Sequence, residues 1–268
     1  MFSLVCLMLL SCSIFVASTD NCTTLDDNAS TPKSIFILAG QSNMAGRGGV
    51  CDNKWDGFVP TECQPNPRIL RLNAGLTWEE ARDPLHHDID KKTCGVGPGM
   101  SFANSVLMTD PNIGMIGLVP CAVGGTKISQ WRPNDYLYNN MLSRARAALR
   151  GGGQIRAVLW FQGESDTVEK ADADEYGSRW ETLFTQLQSD LQLPNLHVIE
   201  VVIESAEKNK GQFGKFLKEV RDTQMAMKFP NVKYVDAMGL ELNFDRVHLS
   251  TNGQAKLGKM MADAFFRS

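Results

Sequence analysis

Four short, nearly continuous apolar runs dictate what this chain can become: residues 34–39, 113–119, 155–161 and 196–203. Each is too brief for an ordinary helix and too apolar for a one-sided strand, so each reads as a strand buried on both faces. A shorter fifth run follows at 232–235. Segments with helical spacing separate them, at 98–108, 136–150, 172–191 and 213–229, and a last one follows at 251–266. Pro98 suits a first helical turn, Gly151-Gly152-Gly153 a helix stop, and Ser250 or Thr251 an N-cap. Strands that alternate with helices require a parallel sheet covered on both sides. The expected fold is therefore α/β: a three-layer α/β/α sandwich around a central, mostly parallel five-stranded sheet.

In open sheets of this kind a site lies beyond the carboxyl ends of the strands. Three clusters fall at such ends: Gly40-Gln41-Ser42, Val123-Gly124-Gly125-Thr126 and Gln162-Gly163-Glu164-Ser165-Asp166. A serine at a strand-to-helix turn lifts its hydroxyl above the sheet. Its own N–H then sits at a helix start, where negative charge is favoured. Paired glycines let a backbone N–H approach a ligand closely. Asp245 and His248 lie three residues apart just before the last helix. One turn at that spacing brings a carboxylate to imidazole Nδ1 and leaves Nε2 free to take a proton from a serine.

The remaining features bound the setting. A net charge of −3 and the lack of a basic run argue against nucleic acid as a partner. Residues 1–17 are apolar and uncharged, with small residues at Val16, Ala17 and Ser18. Residues 1–18 are expected to be a signal peptide, removed on export, although no Lys or Arg precedes the apolar stretch; a signal anchor is the rival reading. Residues 19–32 form a polar segment with sequons at Asn21 and Asn28, and 33–268 a single domain. Cys121 ends a buried strand and is expected to be free. Cys22, Cys51, Cys63 and Cys94 are candidates for two disulfides, with Cys51–Cys63 the most local pairing. Residues 47–97 read as a long irregular region lining a cleft, with a strand-like piece at 68–72. His86-His87-Asp88 lies in it. Adjacent histidines diverge and no further zinc-like ligand set is present, so no metal is expected.

Taken together, Gly-Gln-Ser-Asn-Met-Ala-Gly at 40–46, Val-Gly-Gly-Thr at 123–126, Trp-Phe-Gln-Gly-Glu-Ser-Asp at 160–166 and Asp-x-x-His-Leu-Ser at 245–250 resemble the SGNH, or GDSL-like, hydrolase superfamily. Within it they resemble the branch of sialate O-acetylesterases and acetylxylan esterases. The resemblance implies Ser42 as nucleophile, His248 as general base and Asp245 as the residue that orients the imidazole. It implies an oxyanion hole from the Ser42 N–H, the Gly125 N–H and the Gln162 side-chain amide. Gln41 and Gln162 replace the Asp and Asn usual in the wider superfamily, as they do throughout this branch. Gln41 and Glu164 are expected to support the site loop, and so is Asp166.

The activity so implied is that of a secreted serine esterase that removes O-acetyl groups from carbohydrate and needs no cofactor. The expected location is extracellular, at the cell wall, with no membrane attachment after signal cleavage. Two other readings use the same residues: a polysaccharide O-acetyltransferase, and a non-catalytic glycan-binding module. The triad does not separate hydrolysis from transfer.

Overall fold

A computed structural model describes residues 34–205, 208–209 and 212–267. The expected signal segment, both sequons and Cys22 lie outside these residues. Among the described residues no helix is long and apolar enough to cross a membrane.

The central sheet contains β1 (Ser34–Gly40), β2 (Ile69–Leu72), β3 (Trp78–Glu80), β4 (Ile116–Pro120), β5 (Gln154–Phe161), β6 (Val198–Val202) and β7 (Val232–Asp236). Its order is β7-β6-β5-β1-β4-β2-β3. Every neighbouring pair is parallel except β2 and β3, which form an antiparallel edge. The three-layer, mostly parallel architecture is as expected, but the sheet has seven strands rather than five. The piece near 68–72 joins it as β2, and Trp78–Glu80 pairs along the outside of β2 as β3.

All seven residues of β1 are buried, because it sits mid-sheet with helices on both faces. One face is covered by α2 (Pro98–Thr109) and α6 (Thr251–Phe266). Phe36 meets Phe102 of α2 and Phe265 of α6 edge-on, with ring centroids 4.9 and 5.2 Å apart. The other face carries α3 (Tyr136–Ala148), α4 (Lys170–Leu191) and α5 (Leu217–Ala226). There Trp160 of β5 packs between Trp131 and Phe184 at 5.2 and 5.4 Å. Truncating such a buried aromatic costs about 3–5 kcal/mol. Arg144 of α3 is buried and donates to the carbonyls of Pro120 at 2.8 Å and Leu72 at 2.7 Å, closing the ends of β4 and β2.

Three local expectations change. The apolar pattern at 213–229 gives a shorter helix, because Phe213 belongs to a two-residue antiparallel ladder and the backbone is extended again at Met227. Among the described cysteines none is paired: Cys51, Cys63, Cys94 and Cys121 are all free thiols. Cys51 is exposed on a small hairpin, whereas Cys63 is fully buried in a helical turn against α2, so the local pairing does not form.

Candidate active site

β1 ends at Gly40, where the backbone has φ +127°. A methyl group built there would lie 2.1 Å from the Phe161 carbonyl oxygen, so only glycine fits. The Gln41 N–H donates to that same carbonyl at 2.9 Å, and the chain turns directly into α1 (Ser42–Ala45). Ser42 is thereby fixed above the carboxyl end of the strand nearest the middle of the sheet.

His248 and Asp245 reach Ser42 from the loop before α6. An antiparallel bridge between Leu242 and Leu249 closes this loop, and the Ser250 hydroxyl caps α6 by accepting from the Gly253 N–H at 3.1 Å. His248 Nε2 lies 2.9 Å from Ser42 Oγ, and His248 Nδ1 lies 2.6 Å from Asp245 Oδ2. Asp245 Oδ1 accepts from the N–H groups of Val247 and His248, both at 2.9 Å. Partial burial alone would raise the Asp245 carboxyl. The bonds from the His248 ring and from the two backbone amides outweigh that effect and hold it down at about 2. An ionised Asp245 requires the proton on Nδ1 and leaves Nε2 to accept from Ser42.

Asn43, which the sequence did not mark, ties the two halves of this chain together. Its Oδ1 accepts from the Leu249 N–H at 2.9 Å, and its Nδ2 donates to the Val247 carbonyl at 3.3 Å and to Glu164 Oε1 at 2.6 Å. The Ser205 hydroxyl donates to the same Val247 carbonyl. Glu164 is fully buried and thus lies behind the nucleophile turn.

A second buried cluster holds the glycine loop. Asp90 Oδ2 accepts from Arg47 Nη2 at 2.5 Å and from the Gly124 N–H at 3.0 Å. A methyl group built at Gly124 would lie 2.5 Å from Arg47 Nη2, 2.9 Å from Asp90 Oδ2 and 3.4 Å from Ser42 Cβ. The loop therefore passes directly beside the serine. Gly124 is held by Asp90, and neither the Gly125 N–H nor the Ser42 N–H donates to another group among the described residues. Asp90 and Arg47 lie in or beside the long irregular region and carry no sequence signal of this role.

Gln162 departs from its expected place in an oxyanion hole. It is fully buried, and its Nε2 donates to Asp166 Oδ2 at 2.6 Å, to the Thr126 carbonyl at 2.9 Å and to Gln41 Oε1 at 3.2 Å. Two hydrogens facing three acceptors leave none for a bound oxyanion. Gln41 Oε1 also accepts from the N–H groups of Gly163 and Ser165, at 3.4 and 3.3 Å. Neither His86 nor His87 hydrogen-bonds Ser42 among the described residues. His86 is buried within the protein, where burial pushes its imidazole down to about 3. His87 is exposed, with Nδ1 against the Pro84 carbonyl at 2.9 Å and Nε2 beside Arg71.

An α/β/α sandwich of this topology, with a Ser–His–Asp chain at the carboxyl edge of its sheet, has the SGNH-hydrolase architecture. Comparison with known proteins narrows the class. The chain belongs to the carbohydrate esterase family described as sialic acid-specific acetylesterase, whose model matches residues 32–267. It is 49% identical over 244 residues to a probable carbohydrate esterase of Arabidopsis thaliana, covering 87% of this chain and 90% of that protein. An X-ray structure of an Arabidopsis thaliana protein superposes with a TM-score of 0.82 at 48% identity, over 87% of this chain and 98% of that one. NanS shares the fold at a TM-score of 0.66 and 18% identity, over 88% of this chain and 96% of its own. A carbohydrate acetylesterase from Xanthomonas citri does so at 0.60 and 16%, over 86% and 55%.

Proposed function

We propose that this protein is a secreted serine esterase that removes O-acetyl groups from carbohydrate through an acetyl-Ser42 intermediate. The observation that carries the reading is the continuous hydrogen-bonded chain Ser42 Oγ–His248 Nε2, His248 Nδ1–Asp245, with separations of 2.9 and 2.6 Å. His248 takes the serine proton as Ser42 Oγ attacks the acetyl carbonyl. The carbonyl oxygen becomes an oxyanion, which the Ser42 and Gly125 N–H groups are free to receive. A single donor of this kind contributes about 3 kcal/mol to the transition state. Collapse breaks the bond to the sugar oxygen, which leaves with the proton from His248. Water then attacks the acetyl-serine with His248 again as base, releasing acetate and restoring Ser42.

Export is supported by the apolar, uncharged residues 1–17, read as a signal peptide ending at 18; residues 33–268 then form the single esterase domain. The test is a panel of acetylated glycans incubated with wild type and Ser42→Ala. Acetate release by wild type alone is the expected result. Appearance of the acetyl group on a second glycan rather than in solution would instead make the enzyme a transferase.

A further inference from the structure

On the Asp245 side of the site a cleft of about 600 Å³ runs between the hairpin around residues 50–58 and the loop at 241–252. That volume lies within the range of small-molecule sites. Two aromatic side chains stand on its walls without protein partners that would bury them. Phe244 is 101% exposed, and Phe58 is 58% exposed. Together the two rings place two apolar faces on one cleft beside the site. Phe244 directly precedes Asp245 in a loop held by Asn243, whose Nδ2 donates to the Arg47 carbonyl at 2.9 Å. Phe58 is held by its N–H bond to Asp56 Oδ1 at 2.9 Å. Both rings are thus carried on anchored backbone.

The charged part of the lining has one sign. Asp52, Asp56, Glu241 and Asp245 contribute carboxylates, and no lysine or arginine lines the cleft. Carboxylates accept hydrogen bonds from hydroxyl groups and repel anions. Aromatic faces take the CH faces of a pyranose ring. A surface that offers both, contiguous with a carbohydrate esterase's Ser–His–Asp chain, fits an uncharged sugar. We propose that this cleft is a second sugar subsite, which binds an uncharged pyranose neighbouring the acetylated one on the same glycan, stacked on Phe244 and Phe58. The inference rests on the reading that Ser42 deacetylates carbohydrate. It adds that the substrate is an oligomer or polymer with uncharged residues on the Asp245 side. The flank at Gly124 differs in charge, carrying Lys91, Lys92 and Arg132 beside Asp90 and Asp135.

The test compares kcat/KM for acetylated xylotetraose and for 4-nitrophenyl acetate in wild type, Phe244→Ala and Phe58→Ala. Each variant should lose several-fold to about tenfold more on the oligosaccharide than on the aryl ester, mainly through KM. Calorimetry gives a readout free of turnover: unacetylated xylotetraose should bind Ser42→Ala and bind Ser42→Ala,Phe244→Ala several-fold more weakly. Equal losses on both esters would make Phe244 a support of the catalytic loop and overturn the proposal. So would equal binding by the two serine variants, or a wild type that prefers a uronate-bearing oligosaccharide over its neutral counterpart. Failure of the underlying reading looks different: 4-nitrophenyl acetate would be turned over while no glycan releases acetate.

Discussion

The Asn43 side chain accepts the Leu249 N–H at 2.9 Å, so the residue after Ser42 holds the residue after His248. Two catalytic candidates 206 residues apart are fixed by the bond between their neighbours. Asn43→Ala leaves the buried Leu249 N–H without its acceptor, at a cost of about 1–3 kcal/mol. The expected outcome is a lower kcat with little change in KM, because the serine–histidine distance is disturbed and the sugar contacts are not. Steady-state kinetics and a melting curve check it. A stable variant with wild-type kcat would show that the loop keeps its place without Asn43.

Asp90 is predicted to hold the glycine loop through its bonds to Arg47 and Gly124. Asp90→Ala leaves Arg47 charged and buried, a change that costs about 3–5 kcal/mol. Because both partners belong to one pair, Arg47→Ala,Asp90→Ala should be less destabilised than the sum of the single variants. Activity should stay low in the double variant, since the Gly124 N–H has still lost its acceptor. Recovery of full activity there would mean that the loop is held by other contacts.

Gln162→Ala tests the inward orientation of that side chain. An oxyanion donor would lower kcat and leave stability nearly unchanged. The observed bonds to Asp166, Thr126 and Gln41 predict instead a clear fall in melting temperature, with loss of activity following it. A variant as stable as wild type with a hundredfold lower kcat would contradict this account of Gln162.

Burial pushes the Asp166 carboxyl from 3.8 up to about 7, against the hydrogen bonds from Gln162 and Ile128 that lower it. The folded state thus binds this proton more tightly than the unfolded chain. The resulting stabilisation is complete below about pH 4 and is lost as pH rises towards 7. Asp166→Asn keeps an oxygen to accept both bonds but cannot ionise. Its melting temperature should therefore rise relative to wild type between pH 4 and 7. Parallel melting temperatures across that window would mean that Asp166 ionises as easily in the fold as in the unfolded chain.

The parts of this fold legible in the sequence are those set by local pattern. β1 and β4 are almost wholly apolar because helices cover both faces, β5 and β6 are so apart from Gln154, Arg156 and the buried Glu200, and Ser42, Gly124 and Gln162 are placed by lying just past strand ends. β3 was not legible, since Trp78-Glu79-Glu80 is an edge strand with one side in water. The Asp245–His248 contact was legible because it closes a single turn. Asn43 and Asp90 were not, because their partners at Leu249 and Gly124 are 206 and 34 residues away. The inward turn of Gln162 depends on Asp166 and the Thr126 carbonyl both converging on it, which no spacing of residues encodes. The expected disulfides failed for a related reason: cysteine spacing does not report that Cys63 is buried and Cys51 is exposed.

The central claim is that Ser42 becomes acetylated during turnover. Rapid mixing with 4-nitrophenyl acetate, acid quenching and peptide mass spectrometry measures this directly. The account predicts a burst approaching one nitrophenol per protein chain, with one acetyl group on the peptide that contains Ser42, and neither in Ser42→Ala. Sustained hydrolysis by Ser42→Ala, or an acetyl group trapped on another residue of the wild type, would contradict it.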